Sequence, residues 1–480
     1  MNARIIKLFT FITVLFAVLV GFTSYWSVFD ADNLKDQQVN KRPLFEAQQI
    51  KRGRILADDG TVIARSVRRG RGASSQFVRR YPHGSLYGHP IGYSFAEQGN
   101  SEFERSHNRE LIGEDSEFSS ILDELRGRKQ VGHDVFTNID PLAQQTAVDL
   151  LAGRAGAVVA IEPSSGKVRA LVSQPSFDPN LIPRDLDQLF QDPTRPLYAA
   201  ATQGQYPPGS TFKLVTAAAG LDSGKISIDS TIDAPASIDL QGRPLVNADG
   251  SDYGDIGVTT ALTHSVNTFF AQLGQRVGED TLYEYMDRFG FNAKPQIDLP
   301  RDQLSISGVF GGNTLLTPEE GVDVGRIAIG QERLLATPIQ MAEVAATIAN
   351  KGDLMKPVLW REVRDVDGRT IDEASPEKQS DVISEQTAAE LTEAMRAVVN
   401  EGTGTAAALS GVDVAGKTGT AEVPDQARCA GLPNQAWFVG FAPADDPQIA
   451  VAATVECTDG QGGTVAAPIA AGVMRAVIGG

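Results

Sequence analysis

The sequence predicts an α+β fold: an antiparallel sheet flanked by helices, an all-helical region, a small mixed N-terminal module and one transmembrane helix. Three observations lead there. The end of the chain runs through strand-like GVDVAGKTGTAEV, NQAWFVGFAP and QIAVAATVEC into a helical APIAAGVMRAVI, the pattern of an antiparallel sheet covered by helices. Before it, LVTAAAGLDSG, TTALTHSVNTFFAQLGQRVG, TPIQMAEVAATIANKG and SEQTAAELTEAMRAVVNEG read as helices. At the other end, the 22 residues from Leu8 to Phe29 are uncharged and mostly apolar, long enough to cross a hydrocarbon core.

Taken in order, residues 1–7 form a short tail carrying Arg4 and Lys7, and residues 8–29 the anchor. Asp30, Asp32 and Asp36 follow the apolar run, so the positive-inside rule places the tail in the cytoplasm and the body outside. A cleaved signal peptide is the alternative, but no small-x-small site clearly follows the run. Either way the body lies in an oxidising compartment, where Cys429 and Cys457 could pair.

Residues 30–155 are polar and turn-rich. Lys51–Arg80 holds nine Lys or Arg against two Asp, which we take as a solvated face with internal ion pairs rather than a surface for anionic lipid or wall polymer. Within it, RILA and TVIA flank Asp58-Asp59-Gly60 as a hairpin. Asp140-Pro141 opens a helix. Residues 156–480 form the larger domain, beginning with two apolar strands joined at Pro163–Gly166.

The formal charge of −17 argues against a general nucleic-acid binder. Two cysteines exclude a multi-cysteine zinc site, and the five histidines offer no HxxxH pairing, so no metal or other cofactor is expected.

Ser-x-x-Lys occurs three times, at Ser164–Lys167, Ser210–Lys213 and Ser375–Lys378. Only Ser210, after the stop Pro207-Pro208-Gly209, opens a helix of small apolar residues. A serine hydroxyl needs a base, and Lys213 is the nearest candidate if burial or a second cation depresses its pKa. Ser265-Val266-Asn267 could relay a proton and hold an amide; Ser106-His107-Asn108 shows that such a triplet also arises elsewhere. Lys417-Thr418-Gly419-Thr420 lies on a strand whose edge can pair with an extended peptide, with Lys417 offering charge to a carboxylate.

These three motifs, in this order, resemble those of the penicillin-binding proteins and serine β-lactamases. FDPN (177–180), IGQ (329–331), TPIQMA (337–342) and RGRILADDGTVIA (52–64) narrow the resemblance to class B penicillin-binding proteins. Asp59 and Glu332 depart from the family pattern, where Arg and Gly are usual. The resemblance implies a transpeptidase fold, related to the serine β-lactamases, and a membrane-anchored peptidoglycan D,D-transpeptidase inhibited by β-lactams. Ser210, Lys213 and Ser265 would be catalytic; Asn267, Lys417, Thr418, Gly419 and Thr420 would bind the stem peptide. It implies an amine acceptor on a second stem and an integral-membrane SEDS-type glycosyltransferase as partner among other cell-wall synthesis proteins. A D,D-carboxypeptidase and a non-enzymatic β-lactam sensor or divisome scaffold are the alternatives. A β-lactamase is disfavoured, having no identifiable deacylating Glu.

Overall fold

The computed structural model describes residues 2–26, 50–70, 76–114, 130–423 and 429–479. The end of the expected anchor (residues 27–29) and the first part of the N-terminal module (residues 30–49) lie outside them. Helix α1 (Asn2–Ser24) contains a 21-residue span from Arg4 to Ser24 of mean hydropathy 2.5, none of it buried within the protein. Exposing that much apolar side chain to water is unfavourable, and a bilayer removes the exposure.

The expected hairpin is present. Strand β1 (Ile55–Leu56) pairs antiparallel with β2 (Val62–Arg69), Ile55 opposite Ala64. Gly60 takes φ +87° at the turn, and Asp59 accepts from the Thr61 N–H at 2.8 Å. Strand β3 (Gln76–Arg80) extends the sheet beyond β2, while β4 (Asp134–Thr137) pairs parallel with β1. Two further strands come from far along the chain: Trp360–Arg364 pairs with β4, and Thr370–Glu373 completes a six-stranded sheet. Asp298 fixes this crossing by accepting from the Leu359 and Trp360 N–H groups at 2.6 and 3.0 Å. Inside the module, Arg52 and Arg79 hold the buried Glu104 carboxylate at 2.8 and 2.6 Å. Part of the basic run is therefore internal ion pairing.

Helix α2 (Pro141–Leu151) starts at Asp140, whose side chain accepts from the Leu142 and Ala143 N–H groups. The larger sheet has five antiparallel strands: β5 (Gly156–Ile161), β6 (Val168–Gln174), β7 (Ala415–Glu422), β8 (Asn434–Ala442) and β9 (Ile449–Thr458), ordered β7-β8-β9-β5-β6. Its period of two separates two cores. Val158, Ala160, Phe438, Val451 and Ala453 pack with Ala143, Ala147 and Leu151 of α2 and with Ala466, Ala470 and Val473 of the C-terminal helix, Gly462–Ile478. Ala157, Val159, Ile161, Trp437, Val439 and Ala452 face the helical region instead.

That region contains α3 (Lys213–Asp222), α4 (Val258–Thr263), α5 (Asn267–Val277), α6 (Pro338–Ala349) and α7 (Glu385–Asn400). With the C-terminal helix as α8, helices cover both faces of the sheet, which is why all six residues of β5 are buried. The stretch 259–278, expected as one helix, is two. Ser265 adopts φ +60° between them and ends the helical run. Cys429 and Cys457, at the end of β9, are joined by a disulfide with Cα atoms 4.9 Å apart.

Candidate active site

Ser210 lies in a 3₁₀ turn, Gly209–Phe212, that leads directly into α3. The turn is clamped from three sides. Gly209 takes φ +53° and its N–H donates to the Gly330 carbonyl at 2.9 Å. A Cβ on Gly330 would fall 1.9 Å from Gly209 O, so this contact requires glycine. Trp437 Nε1 donates to Pro207 O at 3.0 Å, and Tyr206 exchanges backbone hydrogen bonds with Ala336. Tyr206 also donates its hydroxyl to the buried Glu456 carboxylate on β9.

Lys213, at the start of α3, is fully buried. Its Nζ lies 2.7 Å from Ser265 O, 3.2 Å from Ser265 Oγ and 2.7 Å from Asn267 Oδ1. The left-handed turn at Ser265 places a carbonyl and a hydroxyl of one residue on the same amine, a conformation that costs on the order of 1 kcal/mol for a non-glycine residue. Asn267 is held in turn, its Nδ2 donating to Val246 O at 2.9 Å.

Lys417 on β7 is also fully buried, and its Nζ donates to Thr418 O at 3.1 Å. Burial lowers its pKa to about 7. For Lys213 burial is again the main cause, and the positive charge of Lys417 pushes its pKa well below the ordinary lysine value. Two buried amines of one sign cannot both hold a proton cheaply. Lys213, disfavoured by both effects, is the one to lose it. A neutral Lys213 donates two hydrogens, to Ser265 O and Asn267 Oδ1, and keeps a lone pair for a hydroxyl proton.

Strand β7 is the edge of the sheet and faces the serine turn. A Cβ on Gly209 would lie 2.9 Å from Thr420 O, and one on Gly419 would lie 2.8 Å from Pro208 O. In an antiparallel strand a residue's N–H and C=O point to the same side, so the Thr420 N–H also faces the serine turn. Thr418 Oγ1 is 2.6 Å from Thr403 Oγ1, and Thr420 Oγ1 accepts from the Gly462 N–H at 3.1 Å.

All eight site residues named from the sequence therefore meet at one place, between α3, the α4–α5 turn and β7. The decoys are elsewhere: Ser164 and Ser375 are exposed, Lys378 is paired with Asp353 at 2.8 Å, and His107 packs on Asp298 in the N-terminal module. Sequence reasoning missed the supporting groups Trp437, Thr403, Gly462 and the Tyr206–Glu456 bond. The glycine run before α8 was the one available signal; the others depend on strand register. With Ser210, two buried amines and a row of donors along a strand edge, the site is suited to acyl transfer through a serine ester.

Comparison with known proteins agrees with this chemistry. A family model described as penicillin binding protein transpeptidase domain matches residues 156–475, and one described as penicillin binding protein A dimerisation domain matches residues 52–135. The chain is 34% identical over 503 residues to peptidoglycan D,D-transpeptidase PbpA of Mycolicibacterium smegmatis, covering 100% of this chain and 99% of the relative. It is 31% identical to peptidoglycan D,D-transpeptidase MrdA of Escherichia coli K12, covering 83% of this chain and 70% of that protein. The fold is similar to an imipenem acyl-enzyme complex of penicillin-binding protein A from M. tuberculosis, with a TM-score of 0.79 and 34% identity over 90% of this chain and 100% of the other. The penicillin G acyl-enzyme complex of the same protein gives 0.77 and 34%, covering 90% of this chain and 99% of the other.

Proposed function

The chain belongs to the penicillin-binding protein family as a serine-type peptidoglycan D,D-transpeptidase, and from that premise we propose how its own residues carry the reaction. Lys213 takes the proton of Ser210 as the hydroxyl oxygen attacks the penultimate D-Ala carbonyl of a donor stem ending in D-Ala-D-Ala. The Ser210 and Thr420 N–H groups receive the oxyanion. Ser265 passes a proton to the departing D-Ala nitrogen, and the amine of an acceptor stem then attacks the ester and displaces Ser210. Asn267 holds the donor amide. Lys417, Thr418 and Thr420 hold the terminal carboxylate, and Gly419 lets the donor backbone approach. β-Lactams present a carboxylate and a strained amide to the same groups and stop at the ester. The observation that carries this assignment is the contact of Lys213 Nζ with Ser265 and Asn267 beside Lys417, which unites the three motifs.

The protein is membrane-anchored through α1. Arg4 and Lys7 support a cytoplasmic N-terminus and an extracytoplasmic catalytic domain. By this assignment residues 1–7 are the tail, 8–29 the anchor, 30–155 the non-catalytic module and 156–480 the transpeptidase domain, whose 360–373 hairpin is lent to the module's sheet. A SEDS-type glycosyltransferase in the same membrane is the proposed supplier of glycan strands.

Lys417→Ala tests the carboxylate anchor. Losing one charge-assisted hydrogen bond should slow acylation by penicillin about 10- to 100-fold, read as the second-order rate of adduct formation. An unchanged rate would exclude the anchoring role.

A further inference from the structure

The basic run of the N-terminal module is not fully consumed by internal pairs. Arg52 and Arg79 hold Glu104, and Arg54 holds Asp134 at 2.6 Å. Arg65, Arg69 and Arg80 are exposed, and none makes an ion pair among the described residues. The strand register gathers them. Arg65, Val67 and Arg69 project from one face of β2, opposite Arg80, Val78 and Gln76 of β3. Arg65 thus stands directly across from Arg80, a like-charge pair that destabilises a hairpin unless an anion answers it. Val67, 42% exposed, sits in the middle of the patch.

Its position on the chain is close to the anchor in sequence. Strand β2 runs antiparallel to β1, and Ser66 Oγ donates to Arg52 O at 3.0 Å. Residues 67–69 therefore run on alongside residues 50–52, the described residues of the module that are nearest in sequence to the anchor helix. We propose that this face of the β2–β3 hairpin docks on the anionic lipid surface of the membrane that holds α1, arginines on headgroups and Val67 at the interface. Docking sets the tilt of the module on the bilayer. The protein as a whole carries a net −17 and is repelled by such a surface, so a local basic patch defines which side turns toward it. The tether keeps the bilayer within reach, so weak contacts suffice. The proposal rests on anchoring through α1.

The test uses the full-length protein in nanodiscs of phosphatidylcholine alone and of phosphatidylcholine mixed with phosphatidylglycerol, read by amide hydrogen exchange. Co-elution with both discs reports anchoring separately; a chain that inserts in neither overturns the anchored reading itself. In the inserted protein, amides of residues 65–69 and 76–80 should exchange several-fold more slowly on the anionic discs. High salt should remove the difference. Arg65→Gln, Arg69→Gln and Arg80→Gln together should also remove it, while exchange in the catalytic domain and the rate of penicillin acylation stay as in the parent. Equal exchange on both discs would overturn the proposal. So would protection that arises on neutral discs only when soluble poly(glycerol phosphate) is added, which would assign the face to a wall polymer.

Discussion

Ser210→Ala should abolish covalent labelling by a fluorescent penicillin and reduce cross-linking to background. Removal of a serine nucleophile from an acyl-transfer site costs roughly a million-fold in turnover. The substitution deletes one hydroxyl from a half-buried residue in a turn held by Gly330, Trp437 and Ala336. Stability should therefore change by less than about 1 kcal/mol, and thermal unfolding alongside the labelling gel separates lost chemistry from lost folding. Persistent labelling would direct attention to Ser164 or Ser375, both exposed.

Lys213→Ala should slow acylation by roughly 10²- to 10⁴-fold, the range for loss of a positioned general base. Lys213→Arg separates a base from a structural cation. A guanidinium still donates to Ser265 O and Asn267 Oδ1 but stays protonated, so it cannot accept the Ser210 proton. Activity retained in the Arg variant would end the base assignment. The pH profile carries the same logic. Acylation should rise with pH as Lys213 loses its proton, with this limb well below the ordinary lysine range because burial and Lys417 both disfavour the cation. It should fall again as Lys417, lowered to about 7, loses the charge proposed to hold the carboxylate. On the proposed assignment, charge on Lys417 serves twice, by binding the substrate and by keeping its neighbour neutral.

The motifs were legible because each is compact in sequence and differs from its decoys in context. Ser210 precedes small apolar residues, whereas Ser375 sits among Asp, Glu and Pro. Strand order at the C-terminus was legible for a similar reason, each of β7, β8 and β9 being an apolar run bounded by turns. What escaped depends on contacts between distant segments. The left-handed Ser265 divides a run that periodicity reads as one helix, and at the division its carbonyl accepts from the amine of Lys213. The pairing of Trp360–Arg364 with β4 carries no local signal, since either strand alone could be a surface hairpin. Gly330 is recognisable within its motif, but its need for glycine lies in Gly209 O pressed against it. The arginine excess of the module was visible, but not its division between a buried cluster on Glu104 and an open face on β2–β3.

The step that defines the proposed reaction is resolution of the Ser210 ester by an amine to form a cross-link. The most direct measurement gives the purified protein a donor stem ending in D-Ala-D-Ala together with an acceptor stem, and weighs the products. A transpeptidase should yield a donor–acceptor dimer with release of one D-Ala, absent in Ser210→Ala. Release of D-Ala to water with no dimer at saturating acceptor would make the enzyme a carboxypeptidase, and no release at all would make the site a sensor; either would contradict the proposed reaction.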